Sequence, residues 1–302
     1  LKSHPKIRGV VLTNPSYEGR VLDISLIAEC CRSNGLKLIV DESQGSHWSL
    51  SDNFPVSALH TPADMVFHSL HKRVGAMIPS ALLHVPHESR VMKSVVERNV
   101  SHIRSTSPSN LVLISTELAI EYLFSNPKPI DSLISCAKRM RTGIDEFQDS
   151  RINNSKTYER DPFTLHFLPA WGNPVDLADD LYEYGFDYEH VDCRGIIYFI
   201  SPWMKTDDIE RLWQALIKGM TSLGHFKEPE PINVQSLRDF PFSRPLVDCN
   251  HSAAIPIEEA VGKTCIEVIA PCPPGIVQLL PGDVITAAHA KQMPNHIVRI
   301  EL

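Results

Sequence analysis

The stretch Val66-Phe67-His68-Ser69-Leu70-His71-Lys72-Arg73-Val74-Gly75-Ala76, read with the earlier turn Asp41-Glu42-Ser43-Gln44-Gly45, decides the fold. An apolar run ends in a serine, a histidine and then a lysine, so a strongly hydrated ammonium stands where something must partly desolvate and use it. A lysine held in this way can attack a carbonyl. Asp41 follows Leu36-Lys37-Leu38-Ile39-Val40. It should stand at the carboxyl end of a buried parallel strand, where open α/β sheets place their ligands.

The flanking sequence agrees with a layered α/β unit. Residues 7–12 read as a buried strand closed by Asn14-Pro15. Asp23 caps a helix whose apolar positions Ile24, Leu26, Ile27 and Cys30 keep a roughly helical period until Gly35 stops it. Strand, turn, helix and strand in that order predict a right-handed crossover and a parallel sheet. Residues 44–62 are polar and broken by Pro55 and Pro62, which predicts loop with at most a short helix. Residues 63–68 give a third strand and 80–85 a fourth, with the antiparallel direction favoured. Helical periodicity covers 87–99 and 110–125, the second with Leu111, Ile114, Leu118 and Tyr122 on one face.

Beyond Pro127-Lys128-Pro129, a helix over 131–147 leads into a smaller α/β unit of strands 164–168 and 195–201 and helices 175–184 and 207–223. Lys227-Glu228-Pro229-Glu230-Pro231 is a linker by composition. From about residue 235, short β-like runs (265–269, 282–285 and 296–300) are separated by proline turns. The expected domains are 1–126, 127–226 and 235–302.

A carboxylate at one strand end and an amine near the next are the two parts a pyridoxal 5′-phosphate site needs. One partners the pyridinium nitrogen and the other takes the aldehyde. The same Ser-x-His-Lys string also suits a strand end with a solvated lysine, and Asp-Glu after an apolar strand is commoner still.

Composition narrows the class. The 302 residues are 43% hydrophobic and 22% charged, ordinary for a soluble globular protein. A formal charge of -7 leans against nucleic acid and suits a cationic substrate. The seven cysteines form no C-x-x-C pair, so reduced thiols in a cytoplasmic or other reducing compartment are expected. No apolar run approaches a membrane span, and the N-terminus lacks the layout of a signal peptide. His68-x-x-His71 and His84-x-x-His87 invite a metal reading. On a strand such pairs face opposite sides, and no carboxylate is spaced to complete a site, so no metal is expected.

Five segments occur in one order: Thr13-Asn14-Pro15-Ser16-Tyr17-Glu18-Gly19, Asp41 to His47, Ser69-Leu70-His71-Lys72, Thr106-Ser107-Pro108-Ser109-Asn110, and Pro273-Pro274-Gly275-Ile276 with Pro281-Gly282-Asp283. Their order and spacing resemble the bacterial-type Orn/Lys/Arg decarboxylases, pyridoxal phosphate enzymes of fold type I, the aspartate-aminotransferase fold. The resemblance implies an α/β chain holding part of the large domain, a small α/β domain and a small C-terminal α+β domain. Compared with the family, the upstream half of the large domain is missing, so a fragment or truncated product is expected.

The resemblance also implies site roles. Lys72 would hold the cofactor aldehyde, and Asp41 would keep the ring nitrogen protonated. Ser69 would donate to the phosphate. His71 would sit near the ring or phosphate and could deliver a proton, though a hydrogen-bonded core histidine fits it equally well. Asn14 would bond the ring hydroxyl, and Gln44 would lie against the ring. Glu42, on the opposite face of the strand from Asp41, would serve structure. Ser107 belongs to a segment that reaches a neighbouring subunit, which implies a homodimer or higher oligomer. The implied reaction is decarboxylation of arginine, lysine or ornithine to the amine, an entry into polyamines.

Departures from the family pattern keep two rivals open. Gln44 replaces a usual histidine or tryptophan, Pro79 a usual glutamine, and Asn110 and Cys272 usual tyrosines. A catalytically silent family member acting as an oligomerisation or regulatory partner is one alternative. Another fold type I reaction, such as transamination or aldol cleavage, is the second.

Overall fold

The computed structural model of the chain describes residues 7–145, 159–167, 169, 174–192, 195–222, 252–270 and 277–301. They fall into two compact units, 1–228 and 229–302.

In the first unit, β1 (Gly9–Thr13) leads through the short β2 (Arg20–Val21) to α1 (Ile24–Ser33) and then β3 (Lys37–Asp41). Asp23 caps α1 by accepting the Leu26 N–H at 2.9 Å, and Gly35 takes φ +68° just past its end, a value that glycine adopts without Cβ strain. β4 (Met65–Ser69) runs directly into the single-turn helix α2 (Leu70–Arg73), and β5 (Ala81–His84) returns. The sheet order is β1-β3-β4-β5, with β1, β3 and β4 parallel and β5 antiparallel. On one face Leu38, Val40 and Val66 are fully buried against Ile24, Ala28 and Cys31 of α1. Each such aliphatic side chain contributes roughly 1.5–3 kcal/mol. That packing fixes the sheet register, since a one-residue slip would turn those side chains outward.

Three further helices follow: α3 (Lys93–Ile103), α4 (Asn110–Ser125) and α5 (Lys128–Asp145). The helix expected over 87–99 begins only at Lys93. Arg90 explains the difference, because its backbone N–H and guanidinium bond Asp64 at 2.6–3.1 Å and reach the Leu36 carbonyl, while Ser89 Oγ donates to Asp64 O. Residues before Lys93 are thereby held in a turn. α4 has the expected bounds, but its Leu111, Ile114, Leu118 and Tyr122 face is exposed.

The rest of the unit comprises β6 (Glu159–Arg160), β7 (Thr164–Phe167), α6 (Pro174–Glu183), β8 (His190–Asp192), β9 (Gly195–Phe199) and α7 (Thr206–Ser222). β7, β9 and β8 form an antiparallel sheet, and β6 pairs with β2. A continuous core runs from Trp48, Leu70 and Val74 through Leu133, Met140 and Phe163 to Leu177, Ile196 and Leu216, so the lysine turn shares its packing with these later elements.

The second unit holds β10 (Ser252–Pro256), α8 (Ala287–Gln292) and β11 (Ile297–Glu301), with β10 and β11 antiparallel. The runs expected at 265–269 and 282–285 make only isolated bridges, Thr264 to Val284, Cys265 to Ile300 and Ile269 to Leu279. Pro273-Pro274-Gly275-Ile276, Cys272 and the 227–231 linker lie outside the described residues.

Candidate active site

The carboxyl ends of three parallel strands bring the candidate residues together. Thr13 pairs with Asp41, and Asp41 pairs with Phe67, five residues ahead of Lys72. Asn14, the residue after β1, donates its N–H to the Asp41 carbonyl at 3.0 Å. Ser46 Oγ donates to the Ser69 carbonyl at 3.1 Å, tying the turn after β3 to the end of β4. Strand alternation sets Asp41 and Ser69 on the face opposite the buried Leu38, Val40 and Val66. Asp41 is half-buried and its Oδ1 accepts the Ser43 N–H at 3.0 Å.

Lys72 sits on α2 with Leu70 and Arg73 turned into the core, and Lys72 itself is exposed. Among the described residues its amine has no hydrogen-bond or ion-pair partner. His71 is half-buried, and its Nδ1 lies 2.8 Å from the Ser80 carbonyl, which assigns the proton to Nδ1 and leaves Nε2 as an acceptor. The turn is held from beyond α2 as well. Trp203 Nε1 donates to the Val74 carbonyl at 2.8 Å, and Gly75, at φ +85°, passes so close that a Cβ there would lie 2.4 Å from that nitrogen.

Glu42 and Asp41 are adjacent but differ in environment. Glu42 is fully buried and accepts from Ser57 Oγ at 2.5 Å, Ala58 N at 2.7 Å and His68 Nε2 at 2.8 Å. These bonds satisfy it inside the core, in the structural role expected of it. Against His68 packs His84, whose ring centroid is 4.7 Å away. Burial, with the His68 charge adding to it, lowers the His84 pKa to about 4.

A second buried group lies under the lysine turn. Arg73 NH2 donates to Asp161 Oδ2 at 2.8 Å, and His47 Nε2 lies 3.0 Å from Oδ1, with all three side chains buried. The Arg73 guanidinium also stacks 4.2 Å over the Phe199 ring. Burial and the Arg73 charge lower the His47 pKa despite the opposing Asp161 charge. Burial pushes the Asp161 carboxyl up, but His47, Arg73 and Thr164 outweigh it and hold the group below the usual carboxylate range. Arg141 NH2 donates to the Asp161 and Thr164 carbonyls at 2.8 and 2.6 Å, and burial lowers its pKa to about 10.

Asn14, Asp41, Gln44, Ser69, His71 and Lys72 thus come from neighbouring strand ends. Ser107 does not join them. It lies exposed between α3 and α4, its N–H bonded to Ser105 Oγ at 3.1 Å. Arg73, His47 and Asp161 were not anticipated. Arg73 shares the 70, 73, 74 helical spacing with two apolar residues, a signal that it turns inward, whereas nothing local marks a partner 88 positions away.

The donor set fits a pyridoxal phosphate. Asn14 is fully buried, with Oδ1 accepting the Leu22 N–H at 2.8 Å and Nδ2 left without a partner. Gln44 Oε1 is likewise buried and unpartnered. An amide donor, a half-buried carboxylate and an unpaired amine are the groups that a ring hydroxyl, a pyridinium and an aldehyde require. Among the described residues no group of three His, Cys, Asp or Glu side chains is placed to hold a metal, and no helix is long and apolar enough to cross a membrane.

Comparison with known proteins points the same way. The chain is 28% identical over 309 residues to an arginine decarboxylase of Halalkalibacterium halodurans, covering 96% of this chain and 61% of that protein. The structure of the E. coli constitutive lysine decarboxylase superposes with a TM-score of 0.67 at 15% identity, over 97% of this chain and 58% of that one. Pyridoxamine-pyruvate aminotransferase from Mesorhizobium loti does so with 0.55 at 18% identity, over 74% of this chain and 62% of that one. These likenesses show the fold, a fold type I α/β architecture containing part of the large domain, as the resemblance implied. The family model for the major domain of Orn/Lys/Arg decarboxylases matches residues 1–184, covering the three strand ends and the lysine turn described above. On that match the chain belongs to the Orn/Lys/Arg decarboxylase family.

Proposed function

We propose that the chain carries the pyridoxal-phosphate site of a decarboxylase acting on a basic amino acid, arginine, lysine or ornithine. The observation that carries this is the placing of Asp41 and the Lys72 turn on adjacent parallel strand ends with an unpaired amide, Asn14 Nδ2, beside them. When bound, pyridoxal phosphate supplies the electron sink for the charge left by departing carbon dioxide.

The chain's own residues do the rest. Lys72 would hold the cofactor through its aldehyde carbon. Asp41 keeps a proton on the ring nitrogen, because a nearby carboxylate favours the cationic form. Asn14 Nδ2 donates to the ring hydroxyl, Ser69 Oγ to the phosphate, and Gln44 lies against the ring. His71, with its Nδ1 proton committed to the Ser80 carbonyl, would have to take up a second proton at Nε2 before delivering one to the substrate carbon. Ser107, apart from this group, serves the site of a second copy. The exposed Leu111, Ile114, Leu118 and Tyr122 face of α4 supports a homodimer or higher oligomer. Domains 1–126, 127–226 and 235–302 are the proposed divisions, and a cytoplasmic setting suits the free thiols.

A second reading has its own support. Gln44 is buried with an unpartnered oxygen where a ring is usual in the family, which favours a silent oligomerisation partner. Carbon dioxide and amine release from arginine, lysine and ornithine, measured with added pyridoxal phosphate, separates the two. Release from one of them supports the decarboxylase, and binding of the cofactor with no release supports the partner.

A further inference from the structure

The three turns bearing the candidate site residues come from distant parts of the chain, and one residue touches all of them. Asp161 donates its backbone N–H to the Gly19 carbonyl at 2.9 Å, at the end of the turn that begins with Asn14. Its Oδ1 meets His47 Nε2 at 3.0 Å and Trp48 Nε1 at 3.3 Å, at the end of the turn that begins with Asp41. Its Oδ2 accepts from NH2 of Arg73, the neighbour of Lys72, at 2.8 Å. Phe163 N and Thr164 Oγ1 complete the set at 3.2 and 2.6 Å. The approach is close on the first arm too, since a Cβ on Gly19 would lie 2.6 Å from Thr164 Cβ.

We infer that Asp161 is a positioning residue that sets the spacing between Asn14, Asp41 and Lys72 by fixing all three turns to the segment between β6 and β7. The inference rests on the proposed reading that those residues hold pyridoxal phosphate. The chemistry asks for a carboxylate here. Arg73 Nε donates to His47 Nδ1 at 3.5 Å, which leaves the ring proton on Nε2 to donate to Asp161 Oδ1 at 3.0 Å. Every side-chain partner of Asp161 is then a donor, and so is the Phe163 N–H. An amide in its place would set its own NH2 against donors on one side. Arg73 supplies the balancing charge in the same buried volume.

The test uses Asp161→Asn in the full chain, followed by hydrogen-exchange mass spectrometry. Exchange should quicken at least tenfold in peptides spanning 41–48 and 70–75, the turns held by the carboxylate, while 14–19, which keeps the backbone bond to Gly19, α1 and the 252–301 unit keep wild-type rates. The apparent Kd for pyridoxal phosphate, read from its absorbance, should rise at least tenfold. Unchanged exchange in 41–48 and 70–75, or equal quickening throughout α1, overturns the inference. If Asp161→Asn does not fold, Arg73→Met removes one arm only. It should quicken 70–75 and leave 14–19 as in the wild type, and the same rise in both would overturn the inference. A wild-type protein that takes up no pyridoxal phosphate would sink the proposed function, and the exchange pattern would still decide the role of Asp161.

Discussion

Arg73 and Asp161 meet at 2.8 Å with both side chains buried, one residue beyond the candidate nucleophile Lys72. The contact joins a strand-to-helix turn of the parallel sheet to the turn between β6 and β7, 88 positions later. A buried pair of this kind contributes little net stability over an apolar substitute, yet losing one partner leaves a bare charge in the core.

Arg73→Met should therefore lower unfolding stability by about 3–5 kcal/mol. Arg73→Met with Asp161→Asn should cost less than the sum of the single changes, because no unpaired charge then stays buried. Urea unfolding of the four proteins in the cycle measures this.

Asp41 and Glu42 should separate cleanly despite being neighbours. Glu42 is fully buried and holds Ser57, Ala58 and His68, so Glu42→Ala should cost about 2–4 kcal/mol through the donors it strands. Asp41 is half-buried with a single bond to Ser43, so Asp41→Ala should cost about 1 kcal/mol or less while weakening pyridoxal phosphate uptake. Thermal unfolding and an absorbance titration on both variants check the contrast.

The two carboxylates also show how far the sequence could be read. The alternation of Leu38, Ile39, Val40 and Asp41 was enough to set Asp41 at a strand end on one face and Glu42 on the other, and the Asp23 cap and Gly35 stop bounded α1 correctly. The late start of α3 was hidden because Arg90 acts through Asp64, a partner from another element. β6 escaped because its two residues pair only with Arg20 and Val21, far away in the chain. β10 escaped because Ser-Ala-Ala-Ile-Pro lacks the β-branched alternation that marks a strand. In the site, the strand-end residues followed from local pattern, whereas the Asp161 cluster depends on tertiary pairing that no window of sequence contains.

Stability should fall as pH drops from about 6.5. Burial lowers His84 to about 4 and lowers His47 as well, so the unfolded chain binds more protons than the folded one across that interval. Below about pH 4 the depressed carboxyls of Asp161 and Asp64 add to the loss as they are forced to protonate. His84→Leu should flatten the slope of Tm against pH between 6.5 and 4.5. An unchanged slope would assign that interval to other groups.

Gly75→Ala should cost about 1–3 kcal/mol, since φ is +85° and the added Cβ would strike Trp203 Nε1 at 2.4 Å. Loss of the Trp203 to Val74 bond should shift tryptophan emission to longer wavelength, which fluorescence of the native variant reads directly.

The central claim is that Lys72, beside Asp41 at the strand ends, takes the aldehyde of pyridoxal phosphate. The protein is incubated with pyridoxal phosphate, reduced with borohydride, digested and examined by mass spectrometry. A visible band that disappears on reduction, with the adduct on the peptide containing Lys72 and none in Lys72→Ala, is the predicted result. An adduct on a different lysine, or no band and no adduct at all, would contradict it.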